Sequence, residues 1–173
     1  MILNNYFIKR NVEKQATVAV GRKHCFRSLK EAHNILIFFE AKDEDKIEPC
    51  LETLRMLKKN VQVCLYVSRK NPLEANDSYQ MIYENKDINR WGFPLAEISR
   101  QVNDIKADVL IDLTGDGCYS MKYIMLQHPS CFKVGLKRKE QDMYDFSLSV
   151  TDRDDLMYLF GQIIFYLQTI RSK

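Results

Sequence analysis

Glycine and proline are both scarce, 6 and 4 among 173 residues. That excludes collagen-like and low-complexity architectures. Five cysteines make an odd set, and no two have C-x-x-C spacing. Disulfide frameworks and zinc ribbons both need such pairs, so the thiols point to a reducing compartment. His24, His33 and His128 are scattered, without metal-ligand spacing, and no metal is expected. No run approaches the ~18 consecutive apolar residues of a membrane span. The opening Met1–Ile8 is short and polar, and Lys9-Arg10 follow it rather than precede it, unlike a secretory leader. A soluble, cytoplasmic protein is expected. Neither G-x-G-x-x-G nor G-x-x-x-x-G-K-[ST] occurs, and Ser120 lacks a G-x-S-x-G setting, so no cofactor is expected.

What is present is ordinary globular material, 46% hydrophobic and 28% charged, in a length that suits one domain with its own core. The net charge of +3 is too small to argue for nucleic-acid binding, but it is unevenly placed. Residues 1–30 hold seven basic residues, Lys9, Arg10, Lys14, Arg22, Lys23, Arg27 and Lys30, against Glu13 alone, leaving +6 there and −3 elsewhere. The reading is a basic arm over 1–30 ahead of a mildly acidic domain over 31–173.

Leu3, Tyr6, Phe7 and Arg10 recur at helical spacing and predict a helix from 3 to about 15, with Ile2, Leu3, Tyr6 and Phe7 as its apolar face. Thr17-Val18-Ala19-Val20 favours extended chain, and Gly21 breaks it. Ile35–Phe39 is a continuous apolar run, the mark of a strand buried on both faces. Asp43 caps a helix striped by Ile47, Leu51, Leu54 and Leu57, running to about Lys59, and Val61–Val67 is a second strand. This β-α-β unit is the clearest fold signal. Residues 68–78 form a loop too irregular for a crossover helix. The strand Tyr79–Tyr83 after it is therefore either an edge strand or antiparallel. Trp91-Gly92-Phe93-Pro94 opens the next helix, with Pro94 in its first turn and Leu95, Ile98 and Val102 as its buried stripe. Trp91 itself reads as a seal at that helix start, or as an exposed stacking platform. Asp108–Leu113 is a strand, and 118–128 a helix with Tyr119, Tyr123, Ile124 and Leu126 available for packing. Cys131–Leu136 and Phe146–Val150 are strands. Thr151 and Asp154 resemble a capping box for the last helix. The sum is an α/β, Rossmann-like three-layer sandwich around a mostly parallel sheet of about six strands.

In such sheets ligands bind beyond the carboxyl ends of strands, near the reversal of strand order. The turn after Asp108–Leu113 sits at such an end, and Asp112, Thr114, Gly115, Asp116, Gly117 and Cys118 are the candidate ligand-binding residues. It leads into a helix whose first N–H groups are free, and the two glycines would let a sugar hydroxyl or a phosphate approach the backbone. Asp116 suits a sugar hydroxyl and repels a phosphate, or it simply caps the helix. Asp112 is either a ligand-binding acid or general base, or a carboxylate satisfied by its own turn. Cys118 at a helix start reads chiefly as structural, since no arginine or histidine follows to activate it.

Two resemblances can be set on these residues. In length and order the chain resembles an uncharacterised family of small proteins from Bacteroidetes, with a basic amino-terminal helix and an aspartate-bearing strand in the second half. That likeness implies no activity. Residues 35–150 are similar in layout to the amino-terminal half of GT-B glycosyltransferases of the heptosyltransferase kind. Asp108-Val-Leu-Ile-Asp-Leu-Thr-Gly and Phe132-Lys-Val-Gly-Leu carry this second likeness. Asp112, Gly115 and Gly135 are the matching positions. Glu40-Ala41-Lys42 stands where those enzymes place a glycine-rich turn, and the nucleotide-sugar half has no counterpart here. The likeness therefore implies architecture rather than sugar transfer.

The functional expectation is a non-catalytic binding or interaction module. One alternative is an enzyme or sensor for a sugar or phosphate ligand at the 112–118 turn. The other is association with an anionic surface, nucleic acid or acidic partner through Lys9, Arg10, Lys14, Arg22 and Lys23.

Overall fold

The computed structural model describes residues 5–21, 25–137, 143–151 and 155–171. Leu3, Arg22, Lys23 and Asp154 lie outside them. Among the described residues, five α-helices and six strands follow in the order α1 Tyr6–Val20, β1 Asn34–Glu40, α2 Glu44–Met56, β2 Asn60–Val67, β3 Gln80–Tyr83, α3 Ala96–Asn103, β4 Val109–Asp112, α4 Tyr119–Gln127, β5 Phe132–Lys137, β6 Phe146–Ser149 and α5 Leu156–Thr169. A short 3-10 turn, Ala41–Asp43, joins β1 to α2.

All six strands are parallel, in the order β3-β2-β1-β4-β5-β6. The order reverses between β1 and β4, the position at which doubly wound sheets open a crevice. β1 is central because its residues Ile35 to Phe39 are all buried, so both faces need cover. Successive side chains alternate between faces. Ile35, Ile37 and Phe39 pack with Ile47, Leu51 and Leu54 of α2 and with Leu159, Phe160, Ile163 and Leu167 of α5. Leu36 and Phe38 pack with Val102 of α3 and Met121, Ile124 and Met125 of α4. Each fully buried large side chain contributes roughly 1.5–3 kcal/mol, so β1 alone is a major source of stability. At the other end of the sheet, Asp108 Oδ2 accepts His33 N–H and Asn34 N–H, both at 2.8 Å, and so ties the start of β4 to the start of β1. Burial opposes ionisation there, but the two backbone bonds outweigh it and hold this carboxyl below its ordinary range.

Several expectations are corrected. α1 continues through Thr17–Val20, where β-branched residues favoured extended chain. Ile8, Val12 and Ala16 are buried on one face against α4, and that packing overrides local propensity. Thr17 Oγ1 also donates back to Glu13 O at 3.0 Å. The buried face of α1 is therefore not the Tyr6–Phe7 face, which is exposed. β3 is a parallel edge strand, reached from β2 without a helix. α2 ends at Met56, because Lys58 takes a left-handed conformation with φ 58°. α3 starts at Ala96 rather than near Pro94; Pro94 instead bridges to Ile88, and Leu95 is exposed. On α4 the buried set is Ser120, Met121, Lys122, Ile124 and Met125, because α1 covers a second face. α5 is capped by Asp155, four residues beyond Thr151, whose carboxylate accepts Tyr158 N–H.

Candidate functional site

β4 ends on Asp112, whose side chain is 0% exposed. A buried carboxylate must find partners, and this one finds four. Its Oδ1 accepts Thr114 N–H at 3.0 Å and Thr114 Oγ1–H at 2.6 Å. Its Oδ2 accepts Lys122 Nζ at 2.8 Å and Tyr144 O–H at 2.7 Å. Lys122 also donates to Thr114 O at 3.1 Å and to the Tyr144 oxygen at 2.9 Å. Strand, turn, helix and the approach to β6 thus meet at one buried ion pair. Tyr144 reaches it by lying flat on Gly135, where an added Cβ would collide with its ring. Gly135 is therefore required by close packing in β5.

Above this network the turn opens outward. Glu40, the last residue of β1, accepts Gly115 N–H through Oε1 at 2.8 Å and pairs with Lys42 Nζ through Oε2 at 3.1 Å. An added Cβ on Gly115 would come within 2.9 Å of Glu40 Oε1, whereas one on Gly117 would meet nothing within 4 Å among the described residues. Burial makes the Lys42 ammonium harder to hold, but the bond to Glu40 prevails and its pKa is raised. Cys118 is buried, and burial together with the Glu40 carboxylate pushes its thiol up, away from thiolate. The Tyr66 phenol is pushed up as well, chiefly by burial.

These groups line a cleft of about 720 Å³ beyond the carboxyl ends of β1, β2 and β4, completed by Glu84 after β3 and Val150 after β6. That volume lies within the roughly 300–1,000 Å³ typical of small-molecule sites. Gly115, Asp116, Gly117 and Cys118, all singled out from the sequence, lie on its wall. Asp112 and Thr114 lie beneath it, in the buried network. Lys9 pairs with Glu13 at 3.9 Å and lines a separate small pocket of about 120 Å³ beside Lys122 and Tyr144, while Arg10 and Lys14 are exposed on α1. Trp91 packs edge-on against Phe7 at 5.2 Å and carries Arg90 over its ring, so it joins α1 rather than α3.

Sequence reasoning missed Glu40, Lys42, Tyr66 and Glu84 in the cleft, and Lys122 and Tyr144 below it. A carboxylate ending the most apolar strand was the available signal for Glu40. A lone cation on an otherwise apolar stretch of α4 was the signal for Lys122, since Asp112 needed a partner.

Sheet order and cleft together define an open, doubly wound α/β protein of the Rossmann-like class, with a polar crevice at its switch point. The chain belongs to a family of unknown function, DUF6913, whose model matches residues 3–170. No curated protein and no solved structure matches it. No described helix is long and apolar enough to cross a membrane.

Proposed function

We propose that this chain is a non-catalytic binding module whose site is the cleft at the ends of β1 and β4, and that its ligand is a small hydroxyl-rich molecule of the sugar class. The observation that carries this reading is the charge of the lining. Glu40, Glu84 and Asp116 face one ammonium, Lys42, and that ammonium is already paired. Carboxylates accept hydroxyl donors and repel phosphate. Tyr66 and Tyr119 add aromatic surface and a hydroxyl each. Binding without turnover is supported by the state of the chemically able groups. The Cys118 thiol is held protonated, and Asp112 is fully engaged with Thr114, Lys122 and Tyr144. A cytoplasmic setting, which suits five free thiols, belongs to the same proposal.

The test is a thermal-shift and calorimetric panel of neutral sugars, sugar phosphates, nucleotides and divalent metals. A ligand at a hundredfold excess over Kd stabilises by about 2.7 kcal/mol, or roughly 5–11 °C for a chain of this size. The expected result is a shift with a neutral sugar that Asp116→Ala abolishes. A silent panel, or a shift that survives Asp116→Ala, refutes the reading.

A second reading has its own observation. Tyr6, Phe7 and Trp91 are exposed and stack edge-on beside Lys9, Arg10 and Arg90, a surface fit for an anionic partner. Arg10→Glu with Lys14→Glu leaves the buried face of α1 intact and should abolish co-sedimentation with anionic vesicles or RNA at low salt. Absence of co-sedimentation by the wild type refutes it.

A further inference from the structure

Helix α5 spans 14 residues, Leu156–Thr169, and contains no Asp, Glu, Lys or Arg. A helix on the surface of a globular protein ordinarily turns a charged face to water, and one that is apolar all round is ordinarily covered. The inner face of α5 is accounted for by Leu159, Phe160, Ile163, Ile164 and Leu167 in the core. Its outer face is not. Met157 is 46% exposed, Tyr158 59%, Phe165 55% and Tyr166 41%. At about 100° per residue, Tyr158 and Phe165 project in nearly the same direction, away from the sheet. Gly161 lies between them, one turn from each. Among the described residues, nothing stands within 4 Å of the space its side chain would fill. Glycine weakens a helix interior relative to alanine, and no contact among the described residues calls for it.

We infer that α5 is the interface of a two-fold homodimer, in which the α5 helices of two copies pack antiparallel and cross at Gly161. The identity of the partner follows from the symmetry of the helix itself. Counted outward from the midpoint between Gly161 and Gln162, Tyr158 mirrors Phe165. An isologous contact sets each position against its mirror in the other copy. Tyr158 of one copy then meets the Phe165 ring of the other, a favourable pairing, while Met157 and Tyr166, about 180° apart around the helix, flank that contact on opposite sides, Tyr166 beside Phe146 at 5.9 Å. Gly161 removes the bulk that would hold the backbones apart. A second copy brings no like charge to this face, because the face carries none. An anionic membrane surface has no lysine or arginine on α5 to hold it.

The area is consistent with association. Aromatic side chains bury about 150–250 Å² each, so four large side chains about half exposed supply ~400 Å² per copy. A standard interface buries about 800 Å² per partner. Backbone at Gly161, the polar Gln162, Gln168 and Thr169, and the exposed Met56 at the end of α2 with Leu57 just after it, on the helix that packs beside α5, are the surface available for the remainder.

Sedimentation equilibrium of the full chain from about 1 to 100 μM is the first measurement. The expected result is a mass of two chains at the upper end. Phe165→Glu places a carboxylate against the Tyr158 ring of the other copy and should raise the dissociation constant at least tenfold, with the circular dichroism unchanged. Because Phe165 is exposed in the single chain, the variant does not disturb the core. Gly161→Cys is the second measurement. Mild oxidation should link it into a covalent dimer in higher yield than the wild type. A wild type that stays at one chain mass throughout, a dimer that persists in Phe165→Glu, or no gain in cross-linking with Gly161→Cys overturns the inference. So does a monomer that pellets with phosphatidylcholine vesicles, which would assign α5 to a lipid surface.

Discussion

Replacing Lys122 by Met keeps the length of the side chain and removes its charge, and should make it one of the most destabilising single changes in the chain. Asp112 would then be a carboxylate with no exposure and no cation, since Lys122 is the cation that reaches it among the described residues. Breaking a buried pair from one side costs about 3–5 kcal/mol. Asp112 keeps three donors, Thr114 N–H, Thr114 O–H and Tyr144 O–H. The lower end, about 3 kcal/mol, is therefore expected, and it corresponds to a fall in Tm of roughly 6–12 °C at 2–4 °C per kcal/mol. Urea unfolding followed by circular dichroism measures the loss. The double variant Asp112→Leu with Lys122→Met removes both charges, and it should cost clearly less than the sum of the singles, with coupling of about 1–3 kcal/mol. A loss below about 1 kcal/mol for Lys122→Met, or additivity within about 0.5 kcal/mol in the cycle, would refute the view that this pair locks the floor of the cleft.

Three further outcomes follow from geometry. His128 is buried, with Nδ1 accepting Ser130 N–H at 3.1 Å and Nε2 bonded to Ile105 O at 3.0 Å, and burial holds its pKa below the ordinary value of about 6.5. The unfolded chain therefore binds the proton first, so stability falls as pH drops below about 6.5; Tm measured between pH 7 and 5 should decline less steeply in His128→Gln. Gly92 has φ 86°, and an added Cβ would lie 2.8 Å from Ile8 Cγ2, so Gly92→Ala should cost about 1–3 kcal/mol and loosen α1, read as faster amide exchange at Ile8 and Val12. Gly135→Ala should push the Tyr144 ring off Asp112 and lower Tm, whereas adding Tyr144→Ala to it should restore part of the loss.

The layered architecture was legible because it rests on long-range averages of pattern. Ile35–Phe39 could only be a strand covered on both sides, and the stripe Ile47, Leu51, Leu54 could only be a helix beside it. What was not legible was set by neighbours distant in sequence. Thr17–Val20 became helical because α4 lies under Ala16, and the direction of β3 was fixed by its pairing with β2. The site divided in the same way. The turn 115–118 was visible through its glycines and its position after an apolar strand. Glu40 sits 75 residues from Gly115, and Tyr144 sits 32 from Asp112, and neither separation leaves a local mark. Asp112 showed the same limit. Its burial could be inferred from the strand around it, but its role depended on partners that only folding brings together.

The middle position of β1 has a consequence for how the chain is made. β1, β2 and β3 are all available to pair once residue 83 has left the ribosome. β4, β5 and β6 have no such freedom, because their order begins on the far edge of β1. Until β4 docks, that edge stands bare with Ile35 to Phe39 beside it. The interval between synthesis of residues 83 and 112 is then the moment of greatest risk from stray strand pairing, and the stage at which a chaperone would have most to protect.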